Sequence, residues 1–205
     1  MIKIVEIFCE LIYLLFLFFF CFVSILGGRV TTNHEEMTHL VMTRPERSIK
    51  FIYALCRAKY ILKSSWLEES AKNGYFEPEE SHWLTSLGAM YKCDIPAVVK
   101  FVNKHKLFEN RVFYITPSVT PAPGYLRWLI EQCGGKFENN RRSVMKIHEL
   151  NNQNPNSYII ISCPEDLHLI GFKHFVCYVC TTEFILQSIM SMSIDFISHN
   201  IMYAQ

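Results

Sequence analysis

At 205 residues the chain has room for one large domain or two small ones, and with half its residues hydrophobic it can build a packed core. A formal net charge of +1 removes any whole-protein field that would argue for nucleic-acid binding. The eight cysteines, at 9, 21, 56, 93, 133, 163, 177 and 180, lie mostly inside apolar runs, which reads as buried, reduced thiols of an intracellular protein rather than a disulfide framework.

Residues 11–26 run sixteen positions without a charge, with Ser24 the one polar residue. A spanning helix needs about 20. Glu6 and Glu10 oppose Lys3, and no small-x-small cleavage site precedes Gly27, so a signal peptide is poorly formed. A helix lying on a sheet should be amphipathic, and this stretch is apolar all round. Three readings stay open for residues 1–26: a non-native start to the chain, a membrane or targeting segment, and an unusual buried helix.

Residues 39–42 form a short β-type run, which Thr43-Arg44-Pro45-Glu46 breaks. A helix is expected from Arg47 or Ser48, with Ile49, Ile52, Tyr53 and Cys56 as one apolar stripe. Arg47 and Lys50, three apart, fall on its first turn. Tyr60-Ile61-Leu62 suits a buried strand, and Ser64 or Ser65 caps a helix opening Trp66-Leu67-Glu68-Glu69. Strand, crossover helix and strand imply a right-handed βαβ unit and a parallel sheet.

Asn73-Gly74 ends the Trp66 helix and Pro78 prevents its resumption. Val98, Val99 and Val102 give residues 95–107 helical spacing, in a connection that lacks the composition of a flexible spacer. Residues 112–115 open the second half as a strand, followed by a proline-stiffened turn over 116–123. Leu126, Leu129, Ile130 and Cys133 form a helical stripe ending at Gly134-Gly135, an internal repeat of Leu26-Gly27-Gly28 that sets the domain count at two. Residues 138–156 read as a polar loop. Residues 158–163 are a strand apolar on both faces, Pro164-Glu165-Asp166 suits a first helical turn, residues 175–180 return as a strand, and Thr181 or Thr182 caps a last helix carrying Phe184, Ile185 and Ile189.

The residues Thr38-His39-Leu40-Val41, Ser48-Ile49-Lys50-Phe51 and Ile61-Leu62 with Trp66-Leu67-Glu68-Glu69 resemble the second half of a BRCT repeat. The resemblance runs from about residue 26 to about residue 194 and implies an α/β fold of two BRCT repeats, each a small central parallel sheet flanked by helices. It implies boundaries at 1–26 (atypical first strand and helix, anchor or mispredicted start), 27–75 (first repeat, incomplete), 76–110 (linker with a helix) and 111–200 (second repeat). Gly27-Gly28 resembles the paired glycine after the family's first helix, and Phe184 stands where the first repeat has Trp66.

The function implied is a non-catalytic scaffold of the nuclear DNA-damage response or chromatin regulation. Its ligand would be a phosphorylated protein or histone tail presenting phosphoserine, with no cofactor and no direct nucleic-acid contact. By resemblance Lys50 grips the phosphate, Arg47 meets the peptide main chain or its terminal carboxylate, and Thr120 and Pro121 line the pocket for the third residue after the phosphoserine. The family also supplies a Ser/Thr hydroxyl and a glycine N–H after its first strand, and residues 1–26 contain no Ser-Gly or Thr-Gly pair. Two alternatives follow: a BRCT interaction module that has lost phosphate binding, and a protein tethered to a membrane by residues 11–26.

Other constellations are weaker. His168, His174, Cys177 and Cys180 sketch a zinc site, but Cys177 and Cys180, three apart on an expected strand, point to opposite faces. Asp166 with His168 has no nucleophile at a motif spacing, and Glu68-Glu69 and Glu79-Glu80 read as solvated charges.

Overall fold

The computed structural model describes residues 3–8, 13–44, 46–85, 93–171 and 177–201. They form two compact units, Met1–Asn103 and Lys104–Gln205.

The first unit is a parallel four-stranded sheet in the order β2-β1-β3-β4, built from β1 (Lys3–Phe8), β2 (Arg29–Thr31), β3 (His39–Met42) and β4 (Tyr60–Lys63). Its helices are α1 (Tyr13–Ile25), α2 (Ile49–Arg57), α3 (Ser65–Asn73) and α4 (Ile95–Lys104). The hydrophobic N-terminal stretch thus supplies a strand and a helix: β1 pairs with both β2 and β3, and α1 buries Phe19 and Val23 with Val41, Leu62, Trp66 and Leu67. At 13 residues α1 is about 20 Å long. No helix among the described residues is long and apolar enough to cross a membrane. The apolar-all-round composition shows on the outside, where Leu17, Phe20 and Ile25 are exposed.

The second unit repeats the plan, with a parallel sheet ordered β6-β5-β7-β8 from β5 (Val112–Ile115), β6 (Lys136–Glu138), β7 (Tyr158–Ile161) and β8 (Tyr178–Cys180). Its helices are α5 (Pro123–Gln132), α6 (Val144–Gln153), α7 (Leu167–Ile170) and α8 (Glu183–Ser191). All four residues of β7 are buried, as a strand covered on both faces requires.

The glycine pairs close α1 and α5 in the same way. Gly27 and Gly134 adopt φ of +82° and +84°, while Gly28 and Gly135 donate to the carbonyls five residues back, Val23 at 2.7 Å and Ile130 at 2.9 Å. This double-bonded stop needs a left-handed residue, which glycine adopts without a Cβ clash. The second glycine is required for space: a Cβ on Gly135 would stand 2.7 Å from Ile130 Cγ2 and 3.0 Å from Phe108 Cβ. Gly135→Ala is therefore expected to destabilise the second unit by about 1–3 kcal/mol, read by denaturant unfolding. An unchanged midpoint would contradict this packing.

Several sequence expectations need correction. The polar loop over 138–156 contains α6, capped by Ser143, whose hydroxyl accepts from Lys146 N–H. Ile147 is its one fully buried residue, so the apolar signal is too thin to stand out against the surrounding Asn, Lys and Glu. The stripe on α2 is broader than expected, since Phe51, Ile52, Tyr53, Ala54, Leu55 and Cys56 are all buried. The turn at Pro164–Asp166 is a 3-10 turn that leads into the short α7. The strand over 175–180 begins at Tyr178, with Cys177 before it and Phe175 and Val176 outside the described residues. Pro45 also lies outside them.

Candidate functional site

In the first unit the parallel register brings the ends of β1, β3 and β4 to one edge, with Phe8 beside Met42 and Met42 beside Lys63. The C-terminal edge of such a sheet is where loops and helix starts converge on a ligand. From it leads the connection to α2. Ser48 caps that helix in extended conformation, its hydroxyl accepting Phe51 N–H at 3.2 Å. Lys50 is the second helical residue; Arg47 precedes the cap and is therefore outside the first turn, where the sequence reading puts it. Both are half-buried, and the buried residues that follow Lys50 fix the helix end against the unit.

The structure thus brings Arg47 and Lys50 to one capped helix start. Arg44, exposed in the same connection, and Lys63, exposed at the end of the neighbouring strand, add two cations that sequence reasoning passed over. Their signal was position: Lys63 ends a β-type run and Arg44 stands two residues after one. Charge and first-turn N–H groups together suit an anion. The residues after β1, 9–12, lie outside the described residues.

Thr120 and Pro121 belong to the second unit, in the connection between β5 and α5, where they are joined by a cis peptide bond. Thr120 is exposed and Pro121 half-buried. Two bonds pin this connection. Ser118 N–H donates to Asp166 Oδ2 at 2.7 Å, and Thr182 Oγ1 donates to Thr120 C=O at 2.9 Å. Behind it, buried Thr116 donates from Oγ1 to Ser162 Oγ at 3.0 Å.

The Ser118 N–H holds the Asp166 carboxyl below the usual aspartate range, as a hydrogen bond from Arg142 does for Glu138 and one from the Ser198 hydroxyl for Asp195. Because these folded-state values lie below the unfolded ones, their stabilisation is present above about pH 4 and is lost as pH falls through the depressed values. The thermal midpoint is expected to be flat from about pH 7 to 5 and to fall below about 4, with a shallower fall in Asp166→Asn. An equal acid slope in that variant would show that Asp166 is not held as an anion.

Of the residues that sketch a zinc site, Cys177 is half-buried and Cys180 buried, and burial pushes their thiols up to about 11 and about 12. His174 lies outside the described residues, and among those described no group of three His, Cys, Asp or Glu could hold a metal.

Residues 106–199 match the BRCT domain family. PAX-interacting protein 1 from Mus musculus is 31% identical over 180 residues, which cover 85% of this chain and 17% of that protein. Mediator of DNA damage checkpoint protein 1 from Mus musculus is 30% identical over 144 residues, 69% of this chain and 8% of that protein. The chain thus spans less than a fifth of the length of these curated relatives. Among solved structures, the BRCT5-BRCT6 domains of S. pombe Brc1 align at a TM-score of 0.72 with 16% identity, over 100% of this chain and 99% of that one. Rtt107p in complex with a phosphorylated histone aligns at 0.64 with 15% identity, over 98% and 92%.

Proposed function

Because this chain belongs to the BRCT family, with the fold of a tandem pair, we propose that it is a non-catalytic scaffold that binds phosphoserine peptides through its first unit. The observation that carries the reading is Lys50 on the Ser48-capped start of α2, with Arg47 beside it, at the C-terminal edge of the sheet. A lysine there meets a phosphate with both its ammonium and the helix end. In the same reading Arg47 takes the peptide main chain or terminal carboxylate, and Thr120 and Pro121 take the third residue after the phosphoserine. A phosphorylated histone tail is the favoured ligand, since the Rtt107p structure holds a phosphorylated histone. The setting is the nuclear DNA-damage response, which the name of mediator of DNA damage checkpoint protein 1 supports.

A second reading, a BRCT interaction module without phosphate recognition, is favoured by one feature. No Ser-Gly or Thr-Gly pair occurs in residues 1–26. Two absent charge-assisted hydrogen bonds, at roughly 1.5–3 kcal/mol each, would turn a micromolar binder into a millimolar one.

Titration with phosphoserine peptides and their unphosphorylated twins at two salt concentrations separates the readings. The first expects at least about ten-fold tighter binding of the phosphorylated member, with a gap that narrows at high salt. Equal binding of the twins overturns it in favour of the second.

A further inference from the structure

The two sheets share one strand order, and β5 stands where β1 does, each followed by a helix that ends at a Gly-Gly pair. The end of β5 and the connection after β7 are therefore the second unit's counterpart of the edge that carries Arg47 and Lys50 in the first. What fills that counterpart is a carboxylate. Asp166 is only 3% exposed, and it lies with Thr116 at 0% and Ser162 at 1%. Ser118 N–H donates to Asp166 Oδ2 at 2.7 Å, with the Ser118 hydroxyl and the Cys163 thiol bordering the same carboxylate, while the Thr116 hydroxyl beside it is spent on Ser162 Oγ at 3.0 Å.

A buried carboxylate is costly unless donors surround it, and these donors to Asp166 are neutral. A backbone N–H with hydroxyls on a loop that follows a strand is the chemistry of an oxyanion receptor. The hydroxyl-and-amide half of a phosphate cradle, absent from residues 1–26 in sequence, is thus present in the second unit. Where the first unit offers Lys50 to an incoming anion, the second offers its own anion to its own donors.

We propose that Asp166 is a built-in anion occupying the second unit's hydroxyl-and-amide cradle, which closes that unit to phosphate while the carboxylate is in place. Removing the carboxylate turns the cradle into a receptor for a tetrahedral oxyanion. One chain then takes one phosphate, in the first unit. The inference goes beyond the phosphopeptide reading, and its readout at Ser118 is separate from any loss of binding at Lys50.

The test is a titration of the full ¹⁵N-labelled chain with inorganic phosphate, against sodium chloride at matched ionic strength, following the Ser118 amide. The wild-type amide is expected to show no saturable phosphate response. In Asp166→Ala it is expected to respond saturably, beyond the shift that matched sodium chloride produces. A saturable response in the wild type overturns the proposal, as does its absence in a folded Asp166→Ala. Should that variant not fold, Asp166→Asn keeps the shape and removes the charge. A weaker saturable response at the same amide is then expected, and its absence overturns the proposal equally.

Discussion

Lys50→Glu is expected to abolish phosphopeptide binding while leaving the first unit folded. Losing one charge-assisted hydrogen bond to phosphate costs roughly 1.5–3 kcal/mol, and the reversed charge adds repulsion of about 4 kcal/mol at 4 Å in an effective dielectric of 20. The sum exceeds a hundred-fold in affinity, since each 1.4 kcal/mol is about ten-fold. Stability should not fall with it. Lys50 is the second residue of α2, the Ser48 cap is untouched, and a glutamate in a first helical turn interacts favourably with the helix dipole. Fluorescence polarisation with a phosphoserine peptide, beside a thermal melt of the same preparation, separates the two effects. Parent-like binding by the variant would place the anion site elsewhere.

Trp66→Ala is expected to have the largest effect on stability, about 3–5 kcal/mol for the first unit. Trp66 is fully buried in a core with Phe19, Val23, Val41, Leu62 and Leu67. Its ring stacks on His39 at 5.5 Å and on Phe76 at 5.3 Å, and its Nε1–H donates to Glu77 C=O at 2.7 Å. Such a loss is a large share of the roughly 5–15 kcal/mol that holds a domain of this size folded. Trp66→Phe isolates the polar part. The second unit places Phe184 at the same point of its last helix, so a phenyl ring suits the position, but in the first unit it leaves the Glu77 carbonyl unpaired. The expected cost is about 1–3 kcal/mol. Urea unfolding of both variants checks the pair, and a phenylalanine variant as damaging as the alanine one would contradict this division, since the retained ring would then contribute nothing.

Residues whose role depends on near neighbours are legible in the chain. The runs at 39–42, 60–62, 112–115 and 158–161 become strands because β-branched and aromatic residues in short apolar stretches suit a buried pleat. Ser48 marks the start of α2, and Gly27-Gly28 and Gly134-Gly135 mark the ends of α1 and α5, because caps and left-handed stops are built from residues close in sequence. With a parallel sheet forced by strand–helix–strand order, these local signals carry the α/β fold and the helix start that holds Lys50.

The rest depends on groups distant in the chain. Whether residues 13–25 form an anchor or a core helix turns on Val41, Leu62 and Trp66, which supply the surface Phe19 and Val23 cover. The helix over 144–153 is held by buried Ile147 and half-buried Leu150, which pack in a cluster with Tyr158, Ile160 and Val179. Asp166 reads in sequence as an acid in a first helical turn, and only the fold turns it inward, to a Ser118 amide 48 residues away. Composition and spacing determine the strands and helices that carry a strong apolar run or stripe, and where they stop, because those interactions span one or two turns. Which charges become buried, and against which donors, is decided only when the sheet has paired, because desolvation and hydrogen bonding at that edge depend on loops far apart in sequence and adjacent in space.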